Sequence, residues 1–272
     1  MTAQTPVLDV AGLAVDYGSG RRRSHAVTGV SFSVARGRTL GLVGESGSGK
    51  TTIGMAVLGL VPVVAGEIRF FGRPVHDLSA RRRRELGKVR QVIFQDPYSS
   101  LDPLRTIGYS LTEPARFHGM SASAALERAR ELVRKVGLDE SALSRFPAQF
   151  SGGQRQRIAI ARALMTEPEF IVCDEPVSAL DLSVQADVMN LLTSLQKEFG
   201  LSLLFISHDL TIVRQISDDI IVLRAGEIVE AGPTEQLFAD PRDPYTRALL
   251  ASVPKAARET ARTDAITQKE VG

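Results

Sequence analysis

The chain has 272 residues, with 33 Lys and Arg against 31 Asp and Glu, a balance that argues against a basic stripe spread over the surface and so against a nucleic-acid partner. Its single cysteine, Cys173, cannot close an internal disulfide, and four scattered histidines give no zinc-ligand spacing, so a reducing compartment fits. The opening MTAQTPVLDV lacks a basic segment followed by an apolar one, and the longest apolar run, AVLGLVPVVAG at 56–66, is short and broken by Pro62. The expectation is a cytosolic chain that meets a membrane only through a partner.

In chain order, VLDVAGLAVDY and AVTGVSFSV alternate as half-buried strands, and TLGLVG is a continuous apolar run ending in glycine, a buried strand feeding a loop. Residues 50–60 read as a helix, followed by strands at GEIRFFG and VRQVIFQ. From about Pro97 to Thr166 no strand pattern recurs, and SASAALERARELVRKVGL at 121–138 reads as an amphipathic helix. This stretch is expected to be a helical insertion. Strands return at 170–175, 201–207 and 219–226, separated by helical stretches at 183–199 and 208–217. Alternation of this kind implies a mainly parallel sheet with helices on both faces, an α/β fold. The polar tail at 255–272 has no apolar stripe long enough to dock. Arg21 to Arg23 and Arg81 to Arg84 read as solvated faces and are given no function.

Three motifs carry chemistry. GESGSGKT fits G-x-x-x-x-G-K-[ST] between an apolar strand and a helix, the context that a phosphate loop requires. Gly44, Gly47 and Gly49 allow the tight turn that presents backbone N–H groups to phosphate, and Glu45, Ser46, Ser48 and Thr52 belong to the same cradle. Lys50 is expected to reach the β and γ phosphates, and Thr51 to ligate Mg²⁺. At the end of the strand FIVCDE stand Asp174, the expected Mg²⁺ partner directly or through water, and Glu175, left to orient or deprotonate an attacking water. His208 ends another apolar strand on the same presumed edge.

The third motif, SGGQ, is first a capping box: the Ser151 hydroxyl can satisfy a helix N–H and Gln154 can reach back. That reading does not explain Gly152 and Gly153, since glycine in a first turn sacrifices roughly 1 kcal/mol per residue relative to alanine. Bare amides at a helix start invite an anion. Behind them Ile158, Ala161 and Met165 form one helical stripe.

GESGSGKTT, SGGQ, FIVCDEP, SALD and SHD, in this order and spacing, resemble an ATP-binding cassette ATPase over nearly the whole chain. The resemblance implies a P-loop NTPase core with a mainly parallel sheet, an antiparallel β subdomain and an inserted α-helical subdomain at about 97–166, the cassette running over 1–254. It further implies ATP and Mg²⁺ as cofactors and a head-to-tail pair of ATPases. Ser151 and Gly153 of each would then contact the γ-phosphate held by the other, with Gly152 and Gln154 belonging to the same nucleotide-binding motif. By the same resemblance Asp181 lines the pair contact, Tyr17 stacks on adenine, Gln95 senses metal and water and relays to membrane subunits, and His208 is the switch histidine. The alternative for Tyr17 is a strand-end core tyrosine.

Longer stretches, IFQDPYSSLDPLRTIG at 93–108, EPVSALDLSVQADVMNLL at 175–192 and DPYTRALLASVP at 243–254, are similar to the ATPases of dipeptide, oligopeptide, glutathione and nickel importers. That implies a paired ATPase, often a paralogue, two membrane permease subunits and an extracytoplasmic binding protein, with the chain at the cytoplasmic face of the inner membrane. Some members bind an iron-sulfur cluster through C-terminal cysteines; none follows Cys173, so no cluster is expected. The alternative is a soluble ATPase of an enzyme assembly like the carbon-phosphorus lyase complex. The intact FQDPYSSLDP favours transport. The cargo is not legible, because the ATPase in this architecture never touches it.

Overall fold

The computed structural model describes residues 5–18, 24–75, 78–96 and 100–252. Arg21 to Arg23, residues 97–99 of FQDPYSSLDP and the tail at 255–272 lie outside them. The described residues up to Pro74 and from Leu204 onward form one compact unit, and those from Val75 to Leu203 a second.

In the first unit β1 (Leu8–Tyr17), β2 (Ser24–Val34), β4 (Ala65–Phe70) and β5 (Arg73–Pro74) make an antiparallel sheet in the order β2-β1-β4-β5. The inward residues Val27, Val30 and Val34 of β2 are not at strict alternate positions, because the β1–β2 register shifts between Val10 and Asp16 and a bulge moves side chains to the other face. Beside it run β10 (Glu227–Pro233), β9 (Asp219–Arg224), β3 (Thr39–Val43) and β8 (Ser202–Ile206), hydrogen-bonded in that order. β3 is parallel to β9, and β10 returns antiparallel. All five residues of β3 are buried, as a strand covered on both faces requires. A Cβ on Gly41 would strike Val213 and Ser217, so its absence lets α7 (Leu210–Ile216) lie close on β3. The unit also holds α1 (Lys50–Val57), α8 (Thr234–Ala239) and α9 (Pro244–Ala251). α1 stops short of residue 60, where Gly59 takes φ 71°.

In the second unit β6 (Arg90–Ile93) pairs in parallel with β7 (Phe170–Asp174). The described residues between 100 and 166 hold helices and turns only: α3 (Ile107–Phe117), α4 (Ala122–Lys135), two short 3-10 turns and α5 (Gly152–Leu164). α4 buries Ala125, Ala129, Leu132 and Val133, the one-face spacing of its sequence. α5 buries more than one stripe: Gly153, Gln156, Ile158, Ala159, Ile160, Ala161, Ala163 and Leu164 are all covered. α6 (Leu182–Phe199) ends on Gly200 in the left-handed region. α2 (Ala80–Val89) carries Arg81 to Arg84 exposed, with Arg81 paired to Glu85 at 3.1 Å, a solvated face.

Candidate active site

The loop from Gly44 to Gly49 joins β3 to α1 and is built around three positive-φ glycines, Gly44 at 152°, Gly47 at 78° and Gly49 at 104°. At the two ends space decides as well as φ: a Cβ on Gly44 would strike Leu223 O, and one on Gly49 would lie 2.5 Å from Ala26 O. The loop is pinned from below, since Ser48 O accepts the Gly226 N–H at 2.9 Å and Gly226 O accepts the Thr28 N–H at 2.9 Å. Lys50, 5% exposed, folds back over the loop and donates to Gly44 O at 2.8 Å, Glu45 O at 2.7 Å and Ser48 Oγ at 3.4 Å. Its ammonium is thus held at the mouth of the amide-lined turn. Thr51 and Thr52 follow in the first turn of α1, Thr51 exposed.

On the same unit His208 follows β8. Ser207 N–H donates to Leu42 O at 3.2 Å, so the end of β8 lies beside the end of the strand that feeds the loop. His208 is exposed, and Asp209 caps α7 by accepting from Thr211 N at 2.8 Å. Tyr17 closes β1 with 45% of its surface exposed. It is not a core tyrosine.

In the second unit the parallel register sets Ile93 against Cys173. Two residues further on, Gln95 and Glu175 stand side by side, and Gln95 Nε2 donates to Glu175 Oε2 at 3.2 Å. Glu175 has φ 47°, a left-handed conformation that costs an L-residue about 1–2 kcal/mol, and its carbonyl accepts from Ser178 Oγ at 3.1 Å. Strain of this kind, held by neighbours, clusters at functional sites. Cys173 is wholly buried; burial, and then the Asp174 charge, pushes its thiol up, which leaves it no thiolate chemistry.

At the start of α5 the capping box is made in full: Gln154 N donates to Ser151 Oγ at 3.3 Å and Ser151 N to Gln154 Oε1 at 3.0 Å. The two glycines differ. A Cβ on Gly152 would meet only Leu180 Cδ2, at 3.4 Å, whereas one on Gly153 would overlap Val184 Cγ1 of α6. SGGQ therefore lies directly against the SALD segment. Ser151, Gln154 and Asp181 are exposed there, and Leu182 is 84% exposed.

Residues 27–178 match the model of the family described as "ABC transporter", more than half of the chain. The chain belongs to the ABC transporter family. Residues 229–271 further match the C-terminal region of oligopeptide/dipeptide transporters. A Brucella ovis protein carrying the provisional name of peptide import ATP-binding protein is 52% identical over 92% of this chain and 80% of its own length. The glutathione import ATP-binding protein of Salmonella paratyphi A is 49% identical over 92% of this chain and 42% of its own. Among solved structures, the cassette MJ0796, a dimer in a post-hydrolysis state bound to ADP and Pi, superposes with TM-score 0.74 at 29% identity, over 84% of this chain and 98% of that one. cbiO1 from Clostridium perfringens, part of the transporter complex cbiONQ, reaches 0.78 at 26% identity over 94% and 99%.

In this ABC ATPase the Gly44–Gly49 turn of the first unit, and the Gln95–Glu175 pair and SGGQ–SALD face of the second, are each formed within their own unit. Sequence reasoning missed one contact of the loop. Glu45 N–H donates to Tyr245 Oη of α9 at 3.2 Å, across 200 residues of sequence. The DPYT segment itself was visible, but nothing in it announces a partner so far away.

Proposed function

We propose that this ABC ATPase energises the import of peptides, or of a related small solute such as glutathione or nickel, as one of a pair of ATPases beneath two permease subunits fed by an extracytoplasmic binding protein. The pairing rests on the exposed SGGQ–SALD face: Ser151, at the start of a helix with open amides, sits beside Leu180, Asp181 and the 84% exposed Leu182. An apolar side chain bared next to an anion-ready helix start suits a surface that another cassette covers. The importing direction and the peptide class are supported by the names of the relatives and by the match of residues 229–271. The relatives named above are both import ATP-binding proteins. Among the described residues no helix is long and apolar enough to cross a membrane; in this reading the permeases hold the chain at the cytoplasmic face of the inner membrane.

Each chain's loop, Gly44 to Thr52, would hold the phosphates of one ATP through its amides and Lys50, with Tyr17 stacked on the adenine. The donors assigned to Mg²⁺, the Thr51 hydroxyl, the Gln95 amide oxygen and the Asp174 carboxylate, are all hard oxygens. Among the described residues no three His, Cys, Asp or Glu cluster as a dedicated cage. That donor set fits a small hard cation that takes few protein ligands and fills its shell with phosphate and water. When bound, the ion would neutralise charge on the phosphates. Gln95 holds one oxygen of Glu175, which fixes the carboxylate for its task of orienting or deprotonating the water. His208 would contact the γ-phosphate, and Ser151, Gly152, Gly153 and Gln154 the γ-phosphate held by the opposing cassette. Asp181 would line the contact between the two.

The test is to isolate the protein from membranes with its partners and measure ATP turnover with candidate solutes and the binding protein. Co-purification with integral membrane subunits and stimulation by a peptide-loaded binding protein are the expected results. Recovery with soluble enzymes alone would remove the importer reading.

A further inference from the structure

The contact between α9 and the phosphate loop has a specific geometry. The Glu45 N–H and the Gly44 carbonyl belong to one peptide group. Its N–H donates to Tyr245 Oη at 3.2 Å, and its carbonyl oxygen accepts from Lys50 Nζ at 2.8 Å. Tyr245 and Lys50 therefore grip the same rigid plane from opposite ends. Hydrogen bonds in such a chain polarise one another, so the tyrosine both fixes the angle of the carbonyl and strengthens its hold on the ammonium.

Tyr245 is itself held at its ring and its backbone, and the segment before it is tied down as well. The Arg224 guanidinium lies 5.0 Å from the centre of its ring, within cation–π range. Its backbone N–H donates to Asp243 Oδ1 at 2.7 Å, the cap of α9. The Glu230 carboxylate of β10 accepts from Arg242 N at 2.8 Å and Asp243 N at 3.1 Å, so the segment leading into α9 is tied to the sheet. Leu223, whose carbonyl stands where a Cβ on Gly44 would go, immediately precedes Arg224. The start of the loop, the end of β9 and the first turn of α9 thus meet at one junction.

We propose that Tyr245 is a positioning residue for Lys50, acting through the peptide that joins Gly44 to Glu45, and that the C-terminal segment thereby takes part in nucleotide binding. This rests on the reading that Lys50 binds the phosphates. A phosphate drawing the ammonium forward pulls on the Gly44 carbonyl, and the tyrosine resists rotation of that peptide. Without the hydroxyl the plane can turn, and of the three acceptors that hold Lys50 the Gly44 carbonyl is no longer fixed, while Glu45 O and Ser48 Oγ remain.

Equilibrium binding of Mg-ATP to the full chain tests this with Tyr245→Phe, which keeps the ring over which Arg224 lies, and with Lys50→Ala as the reference. Tyr245→Phe should raise Kd about 2- to 10-fold, the range of one net hydrogen bond, with the thermal midpoint and the hydrogen-exchange protection of α9 unchanged. In the assembled enzyme KM for ATP should rise by the same factor while kcat holds. An unchanged Kd in Tyr245→Phe, with binding lost in Lys50→Ala, overturns the proposal and leaves the nucleotide reading standing. A rise in Kd that merely tracks loss of α9 protection makes Tyr245 an anchor and equally overturns it. Wild-type affinity in Lys50→Ala would remove the nucleotide role of Lys50 and the proposal with it.

Discussion

Glu175 is held in a left-handed backbone conformation with a carboxylate oxygen on Gln95 Nε2, and both features constrain where its charge points. Glu175→Gln keeps the shape and removes the carboxylate proposed to act on water, so Mg-ATP affinity should stay within about twofold while turnover falls about 10²- to 10⁴-fold. Near-normal steady-state hydrolysis in that variant would assign the base elsewhere. Gly153 carries a different lesson. Read as sequence, Gly152 and Gly153 are alike, bare amides for an anion; in the structure Gly153 is also the only residue type that fits against Val184. Overpacking such a site costs typically 1–3 kcal/mol. A Gly153 substitution therefore mixes folding with catalysis. Gly152 faces only the end of a leucine side chain, and an acidic residue there favours the helix dipole. Gly152→Asp is the cleaner probe of the anion role.

At the scale of elements, β10 and α9 bring the C-terminal region to the loop, and Glu230 is the joint between them. Burial alone would raise its carboxyl, but the donors around it, the Arg242 N–H foremost, hold it below its ordinary value of 4.5. A depressed carboxylate contributes stability above its unfolded pKa and loses it as pH falls through the folded one. The thermal midpoint of the wild type should therefore exceed that of Glu230→Gln at pH 7 by a few degrees, about 2–4 °C per kcal/mol for a domain of this size. The gap should close as pH drops below 4.5, and an equal gap at pH 7 and at acid pH would show that Glu230 acts through packing alone. Elements that bury a continuous run or one stripe were legible before the fold was seen: β3, β7, β8, β9, α4 and α6 lie where their patterns place them. β5, β10, α8 and α9 were not. β10 is intermediate or exposed along its length, so it has no apolar period to read, and α8 and α9 are single or double turns whose position is set by capping and tertiary contacts.

For the whole molecule, the glycine turn at Gly44–Gly49 was legible because its spacing decides it, whereas the pairing of Gln95 with Glu175 follows from the β6–β7 register and could not be read from either segment alone. The Tyr245 contact was not legible either, because no local pattern encodes a partner 200 residues away. The central claim is that the loop and the SGGQ face serve different nucleotides, each active site being shared between two cassettes. Two lesions separate shared from self-contained sites: Lys50→Ala, which disables the loop, and Gly152→Asp, which places a carboxylate where the partner's phosphate would lie. The most direct measurement mixes the two variants under conditions where the wild-type chain hydrolyses ATP by itself. Shared sites predict that two inactive proteins regain activity on mixing. The level should be about a quarter of wild type, since half of random pairs are mixed and each holds one complete site of two. No activity above that of the separate variants would contradict the account and return SGGQ to the role of a helix cap.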